Sequence, residues 1–157
     1  MSNAKKRYLI ITEKPGAAKC MRDVFAKMGS EVNFEADIVP ANNHVININD
    51  NVLVHDNNRA YIMALPILRL KNRTVDENFR VDADGLWAGC GRRIADLIGR
   101  NQYDAIVNAC DDDEEGELKF QYVVESMGLE KFETRRLMMR SYFEADLIEG
   151  LMRLNGD

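Results

Sequence analysis

Apolar residues follow two rhythms along this chain: short unbroken runs, and positions that repeat every three or four residues. Tyr8-Leu9-Ile10-Ile11-Thr12 is of the first kind, and an apolar run without polar alternation predicts a strand buried on both faces, as in a parallel sheet. It breaks at Glu13-Lys14-Pro15-Gly16, a turn. From Ala17, the positions Met21, Val24, Phe25 and Met28 repeat at helical spacing up to Gly29, which predicts a helix with a glycine stop. Val32 to Arg80 mixes strand-like pieces, Ala36-Asp37-Ile38-Val39 and Asn51-Val52-Leu53-Val54, with Asn-rich turns, and reads as irregular.

The second half repeats the scheme. Ala88 to Gly99 predicts a helix with Ile94, Leu97 and Ile98 on one face, its first turn weakened by Gly89 and Gly91. Ala105-Ile106-Val107-Asn108-Ala109 is a second buried strand, and Leu118, Tyr122, Val123 and Met127 mark a helix closed by Gly128. Leu137-Met138-Met139 reads as a further strand, and Glu144 to Leu154 as a last helix with Leu147, Ile148 and Leu151 facing inward. Alternating strands and helices predict an α/β domain with a mainly parallel central sheet flanked by helices. One domain is expected over residues 5–157, with Met1-Ser2-Asn3-Ala4 set aside as the remnant of a cleaved tag.

Composition narrows the class. With 46% apolar and 30% charged residues, the chain can bury a core and is not of the disordered type. No apolar run approaches a membrane span and no signal peptide precedes the first strand, so a cytoplasmic protein with no membrane partner is expected. Cys20, Cys90 and Cys110 form no C-x-x-C pair, which excludes a zinc ribbon or disulfide framework and leaves buried thiols as the expectation. His44 and His55 have no partner at ligand spacing. The net charge of -5 argues at first against nucleic acid, but six acids fall within Asp111 to Glu117, and without them the remainder carries +1.

That run, Asp111-Asp112-Asp113-Glu114-Glu115-Gly116-Glu117, directly follows the second buried strand. Asp111 and Asp113, two apart, point the same way in an extended segment, and Glu115 and Glu117 fall in the next helical turn. Two readings are open: a solvated helix start favoured by the helix dipole, or a site for Mg²⁺, a hard ion that takes oxygen ligands and keeps waters for contact with phosphate. An EF-hand fits poorly, since the loop lacks alternating ligands over twelve positions and a terminal Glu at the right distance. The second reading gains from Glu13, another carboxylate at a strand end, because parallel α/β sheets collect ligands at the carboxyl ends of their strands.

Glu13-Lys14-Pro15 and Asp111-x-Asp113-x-Glu115-Gly116-Glu117 together resemble the Toprim domains, and within them the type IA DNA topoisomerases (topoisomerase I or III), the Glu-Lys-Pro form being similar to that of the III branch. The order of elements extends the resemblance over the whole chain. Glu114 stands where that family commonly has Arg, and Asn43-His44 where it has Gly-His. The resemblance implies a Toprim, Rossmann-like fold and a cytoplasmic enzyme that cuts and reseals single-stranded DNA through a tyrosine carried on a further domain. Residues from about 133 to 157, with Arg135-Arg136-Leu137, are expected to lead toward that domain, and the isolated chain is not expected to relax DNA. It further implies Mg²⁺ held by Asp111, Asp113 and Glu115. Glu13 is then the acid for the leaving 3′ oxygen, Lys14 a neutraliser of phosphate charge, and Glu117 an organiser of the helix start. Arg136 and Arg140 are candidate contacts to DNA phosphates, although arginines of this kind are commonly just solvated. Trp87 is a packing residue or a base-stacking platform. The competing function is a stand-alone Toprim nuclease or primase-like enzyme using the same acids.

Overall fold

The structure, a computed structural model, describes residues 5–41 and 86–156. Strand β1 (Arg7–Thr12) leads into helix α1 (Pro15–Met28), a 3-10 turn (Gly29–Glu31) and strand β2 (Glu35–Pro40). Helix α2 (Leu86–Arg100), strand β3 (Ala105–Ala109), helix α3 (Glu114–Ser126), strand β4 (Glu133–Arg136) and helix α4 (Glu144–Asn155) follow. Among the described residues the strands form a four-stranded sheet in the order β2-β1-β3-β4, and every pairing is parallel.

Two separate cores explain why β1 and β3 read as continuous apolar runs. Tyr8, Ile10, Ala105 and Val107 face one layer, where Met21, Val24 and Met28 of α1 meet Leu147, Leu151 and Leu154 of α4. Leu9, Ile11 and Ile106 face the other, built from Ile94 of α2 and Phe120, Val123 and Val124 of α3. Successive residues of a strand point to opposite faces, so a central strand covered on both sides has no polar positions to offer. Burial of the four large side chains Tyr8, Leu9, Ile10 and Ile11 to 1% exposure or less contributes roughly 1.5–3 kcal/mol each.

The expected α/β fold with a parallel sheet flanked by helices is therefore the observed one. Helix α1 begins two residues earlier than its apolar spacing indicates, with Pro15 in its first turn, a position where the missing N–H costs nothing. The Ala36–Val39 piece belongs to β2, whereas Asn51–Val54, His44 and His55 lie outside the described residues.

The last strand differs from expectation. It is Glu133–Arg136, ahead of Leu137-Met138-Met139. An edge strand covered on one face needs little apolar sequence, and Arg135 and Arg136 supply ladder hydrogen bonds as well as any residue. Leu137 donates one more backbone bond to Asn108 O at 2.9 Å and buries its side chain, after which Met138 is 55% exposed and pairing has ceased. The segment from 133 onward supplies a strand at the end of the described sheet and a core helix. Asn33 and Asn155 fasten that helix: Asn33 N donates to Asn155 Oδ1 at 2.9 Å, and Asn155 Nδ2 to Glu31 O at 2.9 Å.

Candidate functional site at the carboxyl edge of the sheet

The strand order makes the site. From β1 the chain moves outward through α1 to β2, and from β3 it moves the opposite way through α3 to β4. The reversal puts a switch point of strand order between the carboxyl ends of β1 and β3, the place where open α/β sheets bind ligands. Thr12 is registered with Ala109, so the residues that leave the sheet beside one another are Glu13 on one strand and Cys110-Asp111 on the next.

Glu13 is 4% exposed although it carries a carboxylate. Its Oε1 accepts from Lys119 Nζ at 2.5 Å, and its Oε2 is buried without a hydrogen-bond partner among the described residues. Lys119 lies on α3 with a side chain only 5% exposed, and its ammonium also meets Glu115 Oε1 at 2.6 Å. Burial opposes that charge, but the bonds to Glu115 and Glu13 outweigh it and raise the lysine above its ordinary pKa.

Asp111 is held from two sides. Tyr142, in the turn before α4, donates its hydroxyl to Oδ1 at 2.7 Å, and Lys14 Nζ lies 3.4 Å from Oδ2. The Tyr142 bond is the main reason Asp111 stays below the usual carboxylate range; partial burial works the other way, and Lys14 and the neighbouring Glu13 carboxyl assist. Burial, and then Asp111 itself, push the Tyr142 hydroxyl well above its ordinary value. Beneath, burial and then Glu13 raise the Cys110 thiol to about 12, so it stays protonated at neutral pH.

The rest of the acidic run is put to structural use. Asp113 is the N-cap of α3, with Oδ1 accepting from Gly116 N at 2.7 Å. Gly116 has to be glycine, because a Cβ there would run into the carbonyl oxygen of Asp111. Glu117 accepts from Asn108 Nδ2 at 3.2 Å and pairs with Arg136. Arg136 also donates to Cys110 O at 3.0 Å and approaches Asp112 at 3.4 Å, and so ties β4 to the loop. Arg140 lines an open groove of about 440 Å³ with Asp112, Met138, Met139, Asp146, Glu149 and Arg153.

The structure therefore brings together Glu13, Lys14 and Asp111, with Glu115 joined through Lys119. It does not gather Asp111, Asp113 and Glu115 around one point, and among the described residues no group of three or more His, Cys, Asp or Glu is placed to hold a metal ion. The unpartnered, buried Glu13 Oε2 lies on a residue that interacts with the Asp111 carboxylate, and carboxylate oxygens are the donor type that Mg²⁺ takes, usually one or two from the protein with water and phosphate supplying the rest.

Sequence reasoning missed Lys119, Tyr142 and Asn108. Lys119 had a signal: it stands one turn after Glu115 and between Gly116 and Phe120, on the stripe that α3 buries. That stripe runs through Lys119, Phe120, Val123 and Val124, displaced from the face containing Leu118. Cys20 is exposed rather than buried, on the outer face of α1. No helix among the described residues is long and apolar enough to cross a membrane. No family model matches the chain, and comparison with curated proteins and with solved structures gave no match.

Proposed function

We propose that this chain is a Toprim-type domain of the type IA topoisomerase kind, serving phosphodiester cleavage and resealing on single-stranded DNA. One observation carries the reading: two carboxylates from neighbouring strand ends, Glu13 and Asp111, stand where the sheet reverses its order, one of them buried with an unpartnered oxygen. A buried carboxylate oxygen without a partner is costly, and a cation with its own waters would satisfy it.

Mg²⁺ bound by Glu13 and Asp111 would neutralise charge on the scissile phosphate. The protein groups around it have separable tasks. Lys14 Nζ, with a side chain 52% exposed, can swing from Asp111 to a non-bridging phosphate oxygen. The resemblance would instead make Glu13 the acid for the leaving 3′ oxygen, a role open to it only in its protonated form with Oε2 off the metal. Asp113 and Glu117 shape the loop, and Arg136 positions Glu117 rather than reaching outward. Arg140, exposed beside the groove and in no ion pair among the described residues, is the better phosphate contact.

The nucleophile of this chemistry is expected from another domain. Of the three tyrosines whose side chains are described, Tyr8 is buried, Tyr103 is bonded to Asp37 toward the amino end of the sheet, and Tyr142 is engaged with Asp111 and hard to ionise. Fluorescence anisotropy with a labelled single-stranded oligonucleotide tests the reading. Mg²⁺ should strengthen binding, Asp111→Asn should abolish that gain, and Arg140→Ala should weaken binding with or without metal. Binding indifferent to both Mg²⁺ and Asp111→Asn would overturn it, and release of DNA fragments by this chain alone would favour the nuclease.

A further inference from the structure

A lysine ammonium is an unusual occupant of the space beside a metal-binding carboxylate. Lys119 comes from the buried stripe of α3, where its neighbours Phe120, Val123 and Val124 are apolar, and it places its charge between Glu13 and Glu115. Removing such a charge from water is costly, and on stability grounds alone an apolar residue would serve the position as well. The second oxygen of Glu13 remains buried and unpartnered beside Asp111. One carboxylate is thus neutralised from one side by a fixed protein cation and left open on the other.

We propose that Lys119 is a built-in cation that sets the divalent-metal affinity of the Glu13–Asp111 site, keeping it weak and confining the ion to the Asp111 side. The inference rests on the reading of that site as a metal site. Charge counting gives its sign. Glu13, Asp111 and Glu115 carry three negative charges, and Lys14 and Lys119 carry two positive ones, for a local sum of -1. Lys14 is half exposed and can move aside, but Lys119 is enclosed and cannot. A divalent ion therefore enters against an ammonium that shares its ligand, and like charges so close repel strongly away from bulk water. Glu115, expected as a metal ligand from its place in the motif, acts through Lys119 by holding the ammonium in position.

Calorimetric titration of Mn²⁺ into the whole chain reads the effect directly. Lys119→Met removes the charge while keeping length and helix propensity, and Lys119→Arg keeps the charge. Mn²⁺ should bind at least tenfold more tightly to Lys119→Met than to the wild type, and Lys119→Arg should behave like the wild type. A purely structural lysine predicts the reverse, since its loss would loosen the site. Equal or weaker binding by Lys119→Met, with Mn²⁺ still bound by the wild type, overturns the inference and leaves the metal site standing. Absence of binding in all three chains overturns both. If Lys119→Met does not melt cooperatively, Lys119→Gln, which retains a donor to Glu13, carries the same expectation and the same means of refutation.

Discussion

Arg7, Asp37 and Tyr103 form a closed network at the end of the sheet away from the site. Arg7 Nη2 lies 3.0 Å from Asp37 Oδ2, the Tyr103 hydroxyl donates to the same oxygen at 2.8 Å, and the guanidinium stands 5.9 Å over the Tyr103 ring. Burial, then the bond to Asp37, raise the Tyr103 pKa to about 12. The unfolded chain releases that proton near 10, so between pH 10 and 12 the native state holds more protons and stability falls as pH rises. The loss should be on the order of 2 kcal/mol by pH 12, seen in denaturant melts, and Tyr103→Phe should remove that part of the slope. Thiol labelling gives a second check: Cys20 should react in the native protein, while Cys110, buried and with its pKa raised to about 12, should stay protected until unfolding. The thiols also show where sequence reading stops. Helical spacing identified the core face of α1 through Met21, Val24 and Met28, but a small residue such as Cys20 fits either face, and only the packed helix settles it.

At the scale of elements, α3 joins site and scaffold, and its N-cap separates the two roles of the acidic run. Asp113→Ala should cost about 1 kcal/mol through loss of the bond to Gly116 N, whereas Asp113→Asn, which can still cap, should keep both stability and Mn²⁺ binding. Loss of metal binding in a stably folded Asp113→Asn would return Asp113 to the donor set. Gly116→Ala should cost about 1–3 kcal/mol from crowding against the Asp111 carbonyl, and should weaken metal binding by displacing Asp111. The buried strands and the helix ends were legible because a run like Tyr8 to Thr12 and a stop like Gly128, at φ 66°, each have one local cause. β4 was not, because Glu133–Arg136 is a strand through its partner β3, and its own residues encode no preference for it. Lys119 was hidden for a related reason: its burial depends on Glu13, more than a hundred residues earlier in the chain.

For the molecule as a whole, the reversal of strand order turns two distant motifs into neighbours. Glu13-Lys14-Pro15 and the acidic run were each visible in the sequence, and the parallel sheet could be anticipated from them and the apolar runs between. The meeting of the two strand ends was suggested by the carboxylate at each, but the pattern of elements does not itself specify strand order, and the structure supplies the direct pairing of β1 with β3. That adjacency brings Glu13 beside Asp111, whereas the three acids of the run are not gathered at one point among the described residues. The most direct test of the central claim is Mn²⁺ calorimetry on the wild type, Glu13→Gln and Asp111→Asn, each first shown to be folded by a cooperative melt. Saturable binding at one site in the wild type, weakened at least tenfold by either substitution, is the predicted result. Heats that are the same in all three chains would contradict it.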